Sequence, residues 1–201
     1  MLRARLSALQ AQIEPHFLFN TLANVRRLYE TTPDRGREML SCLIDYLRAA
    51  LPSMRSSSST LGRELDLARS FLTILQMRMG ERLQFSISAE AGLLEAPMPP
   101  MVLPTLVENA IKHGLGPLPE GGRIDIRASR AGDDLQIEVR DTGAGFTAAK
   151  GSGVGLANTR SRLAGLYGTQ ASLRLAAGAP RGVVATLQLP LAAAATAAVY
   201  A

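Results

Sequence analysis

The polar side chains most suited to chemistry lie close together in residues 104–114, which read PTLVENAIKHG. At helical spacing the apolar residues share one face, and the rest of the circumference carries Glu108, Asn109, Lys112 and His113. An amide oxygen suits Mg²⁺, which takes few protein ligands, and a lysine ammonium can offset phosphate charge. An amphipathic helix with a solvated polar face would show the same pattern. Gly114 is predicted to end the helix, because glycine adopts the left-handed conformation without steric cost.

A second candidate is the glycine-rich segment 141–145, DTGAG, which directly follows a predicted strand. Asp141 offers an acceptor for an amino group such as that of adenine. Gly143 and Gly145 would let the backbone approach a ligand closely. Glycine turns after strands are common, so this motif is weak by itself.

A third candidate is the segment 151–156, GSGVGL, which leads into a predicted helix. A glycine-rich loop at a helix N-terminus presents free N–H groups and a partial positive charge, which suits phosphate groups. Gly153, Gly155 and Leu156 belong to this loop, and Asn158 lies in the first turn of the helix.

Two other nucleotide motifs are excluded. The chain has no Gly-Lys-Ser or Gly-Lys-Thr, so it has no P-loop. The segment GAGFTA at residues 143–148 matches a dinucleotide fingerprint, but that site needs an acid about 20 residues later. Asp141 is the last acidic residue of the chain, so the dinucleotide site is excluded too.

His16, one of two histidines, lies in the segment QIEPHFLFN at residues 12–20. The proline directly before it would interrupt the helix predicted around it, and a broken local rule often marks a site. A neutral imidazole is an available nucleophile at neutral pH. A packed histidine beside a proline kink would look the same, so the role of His16 depends on the other motifs.

Residues 1 to about 55 are predicted to form a helical hairpin, broken at Thr32-Pro33-Asp34. Its apolar stripes are Leu2, Leu6, Leu9, Ile13, Leu18, Leu22 and Val25 on the first helix, and Leu40, Leu43 and Leu47 on the second. One hairpin cannot cover both stripes. The sequence therefore predicts a homodimer in which two hairpins form a four-helix bundle.

Residues 60–190 are predicted to form an α/β domain, after a serine-rich linker at 52–59 and before an Ala-rich tail at 191–201. Thr60 is the predicted N-cap of its first helix. Prolines at 97, 99 and 100 are expected to open the helix that carries Asn109. The seam of the first helix, Leu61, Leu65, Ala68, Leu72, Leu75 and Met79, is assigned to core packing. Leu156, Leu163 and Leu166 form the apolar face of a later helix. Strands are predicted from Ile124, Ile126 and Ala128; Leu135, Ile137 and Val139; Leu173 and Leu175; and Val183, Ala185 and Leu187.

Composition limits the class of protein. The chain has 201 residues, 47% of them hydrophobic, which is enough for one or two domains with a core. Its net charge of +5 would attract anions, but the basic residues are scattered and aromatics are only 4%, which argues against direct nucleic-acid binding. The single Cys42 excludes a disulfide framework and suits a reducing cytoplasm. No apolar run reaches the roughly 18 residues of a membrane span.

Four motifs, in this order, resemble those of the LytS-type sensor histidine kinases: PHFLFN at 15–20, LVENAIKHG at 106–114, DTGAG at 141–145 and GVGLAN at 153–158. The C-terminal half is similar to the GHKL ATP-binding fold shared with Hsp90, gyrase and MutL. The resemblance covers roughly residues 7–190. It implies an α+β fold, with an N-terminal helical hairpin that forms a four-helix bundle in a dimer, followed by a GHKL-type α/β sandwich.

The resemblance also implies an activity, ATP-dependent autophosphorylation on His16 and transfer of the phosphoryl group to an aspartate of a response-regulator receiver domain. It implies ATP and Mg²⁺ as ligands, with Asn109 on the metal and Asp141 on the adenine amino group. The other residues of the implied nucleotide site are Lys112, His113, Gly143, Gly145, Gly153, Gly155, Leu156 and Asn158. Glu14 or Glu108 could orient the His16 ring, and the sequence does not choose between them.

The sequence departs from the family at Pro104-Thr105, where Gln-Pro is frequent, and at Glu14, where Asn is frequent. No sensor domain is recognisable, so we expect a cytoplasmic transmitter core of a longer, inner-membrane-associated protein, with the membrane reached only through the missing sensor region. Two alternatives use the same ATP-binding fold. One is a non-enzymatic ATP-gated dimer module, and the other is an anti-sigma-type serine kinase, in which the hairpin and His16 would have no role.

Overall fold

A computed structural model describes residues 15–53, 56, 58–146 and 154–191 of the chain. Several residues predicted above lie outside the described residues. These are the first part of the apolar stripe (Leu2, Leu6, Leu9 and Ile13), the candidate acid Glu14, the loop residue Gly153, and the tail beyond residue 191.

The N-terminal helices form the predicted hairpin. Helix α1 spans Pro15–Thr31, and helix α2 spans Pro33–Ser53. Only Thr32 separates them, and Pro33 suits the first position of a helix because its missing N–H would have no helical partner there. The hairpin buries Phe17, Thr21, Val25, Leu28, Met39, Leu43, Tyr46 and Ala50.

A single chain buries only part of the predicted stripe of α1. Val25 is buried, but Leu18 is only half-buried and Leu22 is 45% exposed. The buried face of α1 is instead turned toward Phe17 and Thr21, because the hairpin packs against a third helix of the same chain. The Thr21 hydroxyl is satisfied inside this face by donating to the Phe17 carbonyl oxygen, 2.8 Å away.

Helix α3 spans Leu61–Met79 and begins at the predicted cap, since the Thr60 side chain accepts from the Arg63 N–H at 3.4 Å. Its predicted apolar seam is buried except for the half-buried Met79. A second set of buried residues extends around the helix: Glu64, Leu67, Phe71 and Ile74. The Phe71 ring lies 4.8 Å from that of Phe17 and 6.0 Å from that of Tyr46. Helix α3 therefore packs against both the hairpin and the sheet that follows.

The serine-rich linker is shorter than predicted. Pro52 is still within α2, and strand β1 (Ser59–Thr60) pairs antiparallel with β3 (Pro97–Met98). The prolines expected to open the next helix instead form this short strand and the turn after it, so the helix begins only at Val102.

The main sheet has five strands in the order β2-β4-β5-β7-β6. They are β2 (Leu83–Ala89), β4 (Gly122–Ala131), β5 (Asp134–Asp141), β6 (Ser172–Ala177) and β7 (Val183–Pro190). Strands β2 and β4 are parallel, and the other neighbours are antiparallel. The predicted β4–β5 hairpin is confirmed, with Ile126 opposite Val139.

Helices cover one face of the sheet. They are α3, α4 (Val102–Asn109), which continues directly as a π-helix (Ala110–Leu115), and α5 (Val154–Tyr167). The strand residues on the covered face are buried, and those on the other face are polar and half-buried, for example Gln136, Glu138 and Gln188. On the predicted apolar face of α5, Leu163 is buried but Leu166 is 52% exposed. The predicted fold class, a helical hairpin followed by an α/β sandwich, is confirmed. Among the described helices, none combines the length and apolar character needed to cross a membrane.

Candidate functional site

A cleft lies between the α4–π segment, strands β5 and β7, and the start of α5. Its apolar lining consists of Leu106, Ala110, Val139, Leu156, Leu175, Val183 and Ala185. Its polar lining comes from Asn109, His113 and Asp141, and its rim includes Gly145 and Phe146. An apolar cleft with a few converging polar groups is the usual form of a small-molecule site. The structure thus brings together five of the predicted site residues: Asn109, His113, Asp141, Gly145 and Leu156.

Asp141 supplies the buried carboxylate of the cleft. It ends β5, is only 4% exposed, and its Oδ1 accepts from the N–H groups of Gly143 at 2.8 Å and Val183 at 3.3 Å. Burial raises the pKa of this carboxyl above its ordinary value, and the two N–H donors oppose that rise. Because both donors use Oδ1, Oδ2 is the oxygen left to accept from a ligand.

Glycines surround this carboxylate, which corrects the prediction for Gly114. Gly114 does not end the helix in a left-handed conformation; it lies within the π-helix. A methyl group at Gly114 would sit 2.7 Å from Asp141 Oδ1, so glycine is needed there for close approach. A methyl group at Gly143 would collide with the Gly114 backbone. A methyl group at Gly182, whose φ is +96°, would collide with the Asp141 carbonyl oxygen. Sequence reasoning missed Gly182 because only packing shows its role.

Asn109 is held in one orientation. Its Nδ2 donates to the Thr105 carbonyl oxygen at 2.7 Å, which identifies the nitrogen and leaves Oδ1 as a free acceptor. This neutral oxygen fits Mg²⁺, whose other ligands would be water and phosphate oxygens.

The start of α5 approaches Asn109. A methyl group at Gly155 would lie 3.3 Å from Thr105 Cγ2 and 3.9 Å from Asn109 Nδ2, so the first turn of α5 packs against α4 there. The predicted residues Lys112 and Asn158 are both exposed and do not line the cleft.

Sequence reasoning missed several residues of the cleft. Phe146 is 59% exposed and lies at the rim of the cleft, directly after the glycine-rich segment 141–145. Val139, Leu175, Val183 and Ala185 were predicted only as strand residues, but their side chains form the apolar wall of the cleft. Val139 and Asp141 alternate onto the same face of β5, and this period of two was the available signal.

Glu108 faces away from the cleft. With Thr105 and Met101 it lines a small hollow that Phe17, Tyr46 and Phe71 close from the other side. Burial, followed by the charge of Glu108, raises the pKa of the Tyr46 hydroxyl to about 12. Helix α4 therefore presents Asn109 to the cleft and Glu108 to the hairpin.

His16 lies in the first described turn of α1 and is exposed. The Asn20 Nδ2 lies 3.1 Å from His16 Nε2 and 3.2 Å from Nδ1, so it contacts the ring. The next residue, Phe17, belongs to the aromatic cluster beside Glu108. His16 therefore directly precedes a residue of the hollow that Glu108 lines, and it is not among the residues that line the cleft.

Two protein families match the chain. The family described as histidine kinase matches residues 4–83, and the family described as histidine kinase-, DNA gyrase B- and HSP90-like ATPase matches residues 100–193. The first match contains the hairpin and α3, and the second contains the cleft.

Several curated proteins are similar over most of the chain. A sensor protein LytS from Staphylococcus haemolyticus is 33% identical over 183 residues, which cover 85% of this chain and 31% of the relative. A sensor protein LytS from Bacillus subtilis is 29% identical, over 94% of this chain and 34% of the relative. A sensor histidine kinase/phosphatase LytS from Staphylococcus aureus is 32% identical, over 85% of this chain and 32% of the relative. The chain spans about a third of the length of these relatives.

Solved structures share the fold. The histidine kinase domain of the blue-light activated histidine kinase EL346 from Erythrobacter litoralis superposes with a TM-score of 0.55 at 16% identity, covering 96% of this chain and 94% of that one. A structure described as a bacterial phosphotransferase gives 0.55 at 15% identity, covering 90% and 94%. The chain therefore matches the histidine kinase family in its N-terminal part and the histidine kinase-, DNA gyrase B- and HSP90-like ATPase family in its C-terminal part, and it is similar to the LytS-type sensor proteins.

Proposed function

We propose that this chain is the transmitter core of a two-component sensor kinase, which phosphorylates itself on His16 with ATP and passes the phosphoryl group to a receiver-domain aspartate. The observation that carries the proposal is the pairing of Asp141 and Asn109 in one apolar cleft. A buried carboxylate with a free oxygen suits an adenine amino group, and a fixed amide oxygen suits a phosphate-bound metal.

The cleft residues would divide the nucleotide between them. Asp141 Oδ2 would accept from the adenine amino group, and Leu106, Ala110, Val139 and Leu156 would enclose the ring. Asn109 Oδ1 would hold Mg²⁺, which when bound neutralises charge on the phosphates during transfer. Gly153 and Gly155 would let the backbone at the start of α5 lie over the phosphates, with Lys112, His113 and Asn158 near the rim.

His16 would act as the nucleophile. One ring nitrogen forms a bond to the γ-phosphorus, the bond from that phosphorus to the β–γ bridging oxygen breaks, and ADP leaves. The other ring nitrogen needs an acceptor for its proton. Glu108 is a candidate because it lines a hollow together with Phe17, the residue that directly follows His16. Glu14 is the other candidate.

The hairpin would also form the dimer. Large apolar side chains remain exposed on it: Phe19, Leu22 and Tyr29 on α1, and Ile44 and Leu51 on α2. The family implies dimerisation and a response-regulator partner in general. We propose that these residues pack against a second copy, and that the membrane is reached only through a sensor region outside this chain.

Labelling with γ-³²P-ATP tests the proposal. We expect an acid-labile, base-stable label, as a phosphohistidine gives, and we expect His16→Gln to remove it without changing ATP affinity, because His16 lies outside the cleft. His113→Gln is the matched control at the other histidine and should leave the label on His16. An acid-stable label, or one on another residue, would contradict the kinase proposal; ATP binding without any label would indicate a nucleotide-gated module.

A further inference from the structure

A buried acid lies behind the nucleotide cleft. Glu64 of α3 is completely buried, and its Oε1 accepts from the Met101 N–H at 3.0 Å. The Leu103 N–H and the Ser59 hydroxyl also lie near the carboxyl group. Glu64 Oε2 and Ser59 Oγ have no other hydrogen-bond partner among the described residues. Glutamate is rarely buried without a partner of opposite charge, so this position needs an explanation.

Glu64 contacts the start of α4, the helix that carries Asn109. Met101 is the N-cap of α4, and its φ of 63° and ψ of 12° put it in the left-handed region, alone among the described residues other than glycine. Caps are usually extended, as Thr60 is, and supply their own acceptor. Met101 has no such side chain. Glu64 supplies the acceptor from another helix. Burial raises the pKa of its carboxyl, and the hydrogen bonds from Met101, Ser59 and Leu103 and the charge of Arg162 oppose that rise.

A positively charged side chain binds the other side of the same peptide group. Arg162 of α5 donates from Nη1 to the Pro100 carbonyl oxygen at 2.7 Å. It is close enough to Glu64 for each charge to act on the other. The first turn of α5 also packs against α4, since a methyl group at Gly155 would lie 3.3 Å from Thr105 Cγ2. The Pro100–Met101 peptide therefore lies between a carboxylate from α3 and a guanidinium from α5.

We propose that Glu64 is a positioning residue of the nucleotide site. Together with Arg162 it holds Met101 in the left-handed conformation, and this sets where α4 begins and where Asn109 lies. A left-handed methionine costs free energy and persists only where its surroundings impose it. The inference rests on the proposed ATP-binding function, because it assigns Glu64 a role through Asn109.

The test measures Mg-ATP affinity by calorimetry, first for the unmodified chain and then for Glu64→Gln. Glutamine keeps the size of the side chain and an oxygen that can accept from the Met101 N–H, but its NH₂ donor replaces the carboxyl oxygen near the Leu103 N–H, which itself donates. We expect the affinity to fall about tenfold, as for other residues that orient a metal ligand. The matched control is Asp66→Asn, an exposed carboxylate on the same helix, which should bind as the unmodified chain does.

A rescue separates positioning from a general loss of stability. Glycine adopts the left-handed conformation without cost, so Glu64→Gln combined with Met101→Gly should recover most of the lost affinity. All measurements are made well below the melting temperature of each variant. If Glu64→Gln does not fold, Arg162→Met replaces it in the same measurement and the same rescue. This variant removes the hydrogen bond from α5 to the Pro100 carbonyl oxygen.

Unchanged affinity in Glu64→Gln would overturn the inference, and so would a loss that Met101→Gly does not reduce. Failure of the unmodified chain to bind Mg-ATP would instead contradict the proposed function. The two failures are therefore distinguishable.

Discussion

Replacing Asp141 by asparagine should separate ligand recognition from folding. The Asn Oδ1 can still accept from the Gly143 and Val183 N–H groups, so the turn after β5 should keep its geometry. The side-chain NH₂ then takes the place of Oδ2 and faces the adenine amino group, donor against donor. Loss of a hydrogen bond to a charged group costs about 1–3 kcal/mol, which corresponds to an affinity loss of about 5- to 150-fold.

The same change should stabilise the unliganded protein. Burial holds the pKa of Asp141 above its ordinary value, so the folded state binds this proton more tightly than the unfolded state. Ionisation of Asp141 therefore lowers the free energy of unfolding. This loss of stability increases as the pH rises from the ordinary pKa of the unfolded state to the raised pKa of the folded state. Asp141→Asn removes it, so its melting temperature at neutral pH should exceed that of the unmodified chain.

Calorimetry with ATP and GTP, together with thermal melts, measures both effects. We expect the preference for ATP over GTP to fall in parallel with ATP affinity. An equal loss for the two nucleotides, combined with a lower melting temperature, would refute the reasoning and assign Asp141 a structural role at the turn.

Three further changes test the site and the dimer, and two of them have a matched control variant. Asn109→Ala should abolish detectable Mg-ATP binding in calorimetry while costing only about 1 kcal/mol of stability, the value of its one partly buried hydrogen bond; unchanged affinity would contradict the metal assignment. Gly114→Ala should weaken ATP binding and cost about 1–3 kcal/mol in denaturant melts, because its methyl group would lie 2.7 Å from a carboxylate oxygen. Gly165→Ala, with no neighbour within 4 Å, should instead stabilise α5 by up to about 1 kcal/mol. Leu22→Glu should raise the dimer dissociation constant at least about tenfold in sedimentation, whereas Leu166→Glu, equally exposed but on α5, should not; a dimer that tolerates Leu22→Glu would place the interface elsewhere.

Local patterns were readable from the sequence where a single element decides them. The alternation of Ile124, Ile126 and Ala128 predicts their strand, and Thr60 predicts the start of α3. Pro33 predicts the break in the hairpin, because a proline at a first helical position has no lost hydrogen bond. Each of these signals acts within a few residues, and each is confirmed by the structure.

Features that depend on packing between distant segments were not readable. The buried face of α1 follows Phe17 and Thr21 rather than Leu22, because α3 covers that side, and nothing local indicates the contact. Gly114 looked like a helix terminator, but it is required by a carboxylate 27 positions later in the chain, across the cleft. Glu64 occupied what looked like an ordinary polar position, and only the fold shows that it is buried.

The double burial of α3 has a consequence for folding. Phe71 completes an aromatic cluster with Phe17 and Tyr46, while Leu72 and Leu75 of the same helix belong to the core shared with the sheet. Helix α3 thus has one apolar side against the hairpin and another against the sheet. Separating either of them from α3 would expose apolar side chains of that helix. The amides of α3 should therefore be among the slowest of the chain to exchange with solvent deuterium, and the hairpin and sheet should unfold in one cooperative transition. A fragment that lacks the hairpin would expose the apolar face of α3 that the hairpin covers. We therefore expect this fragment to aggregate more readily than the full chain.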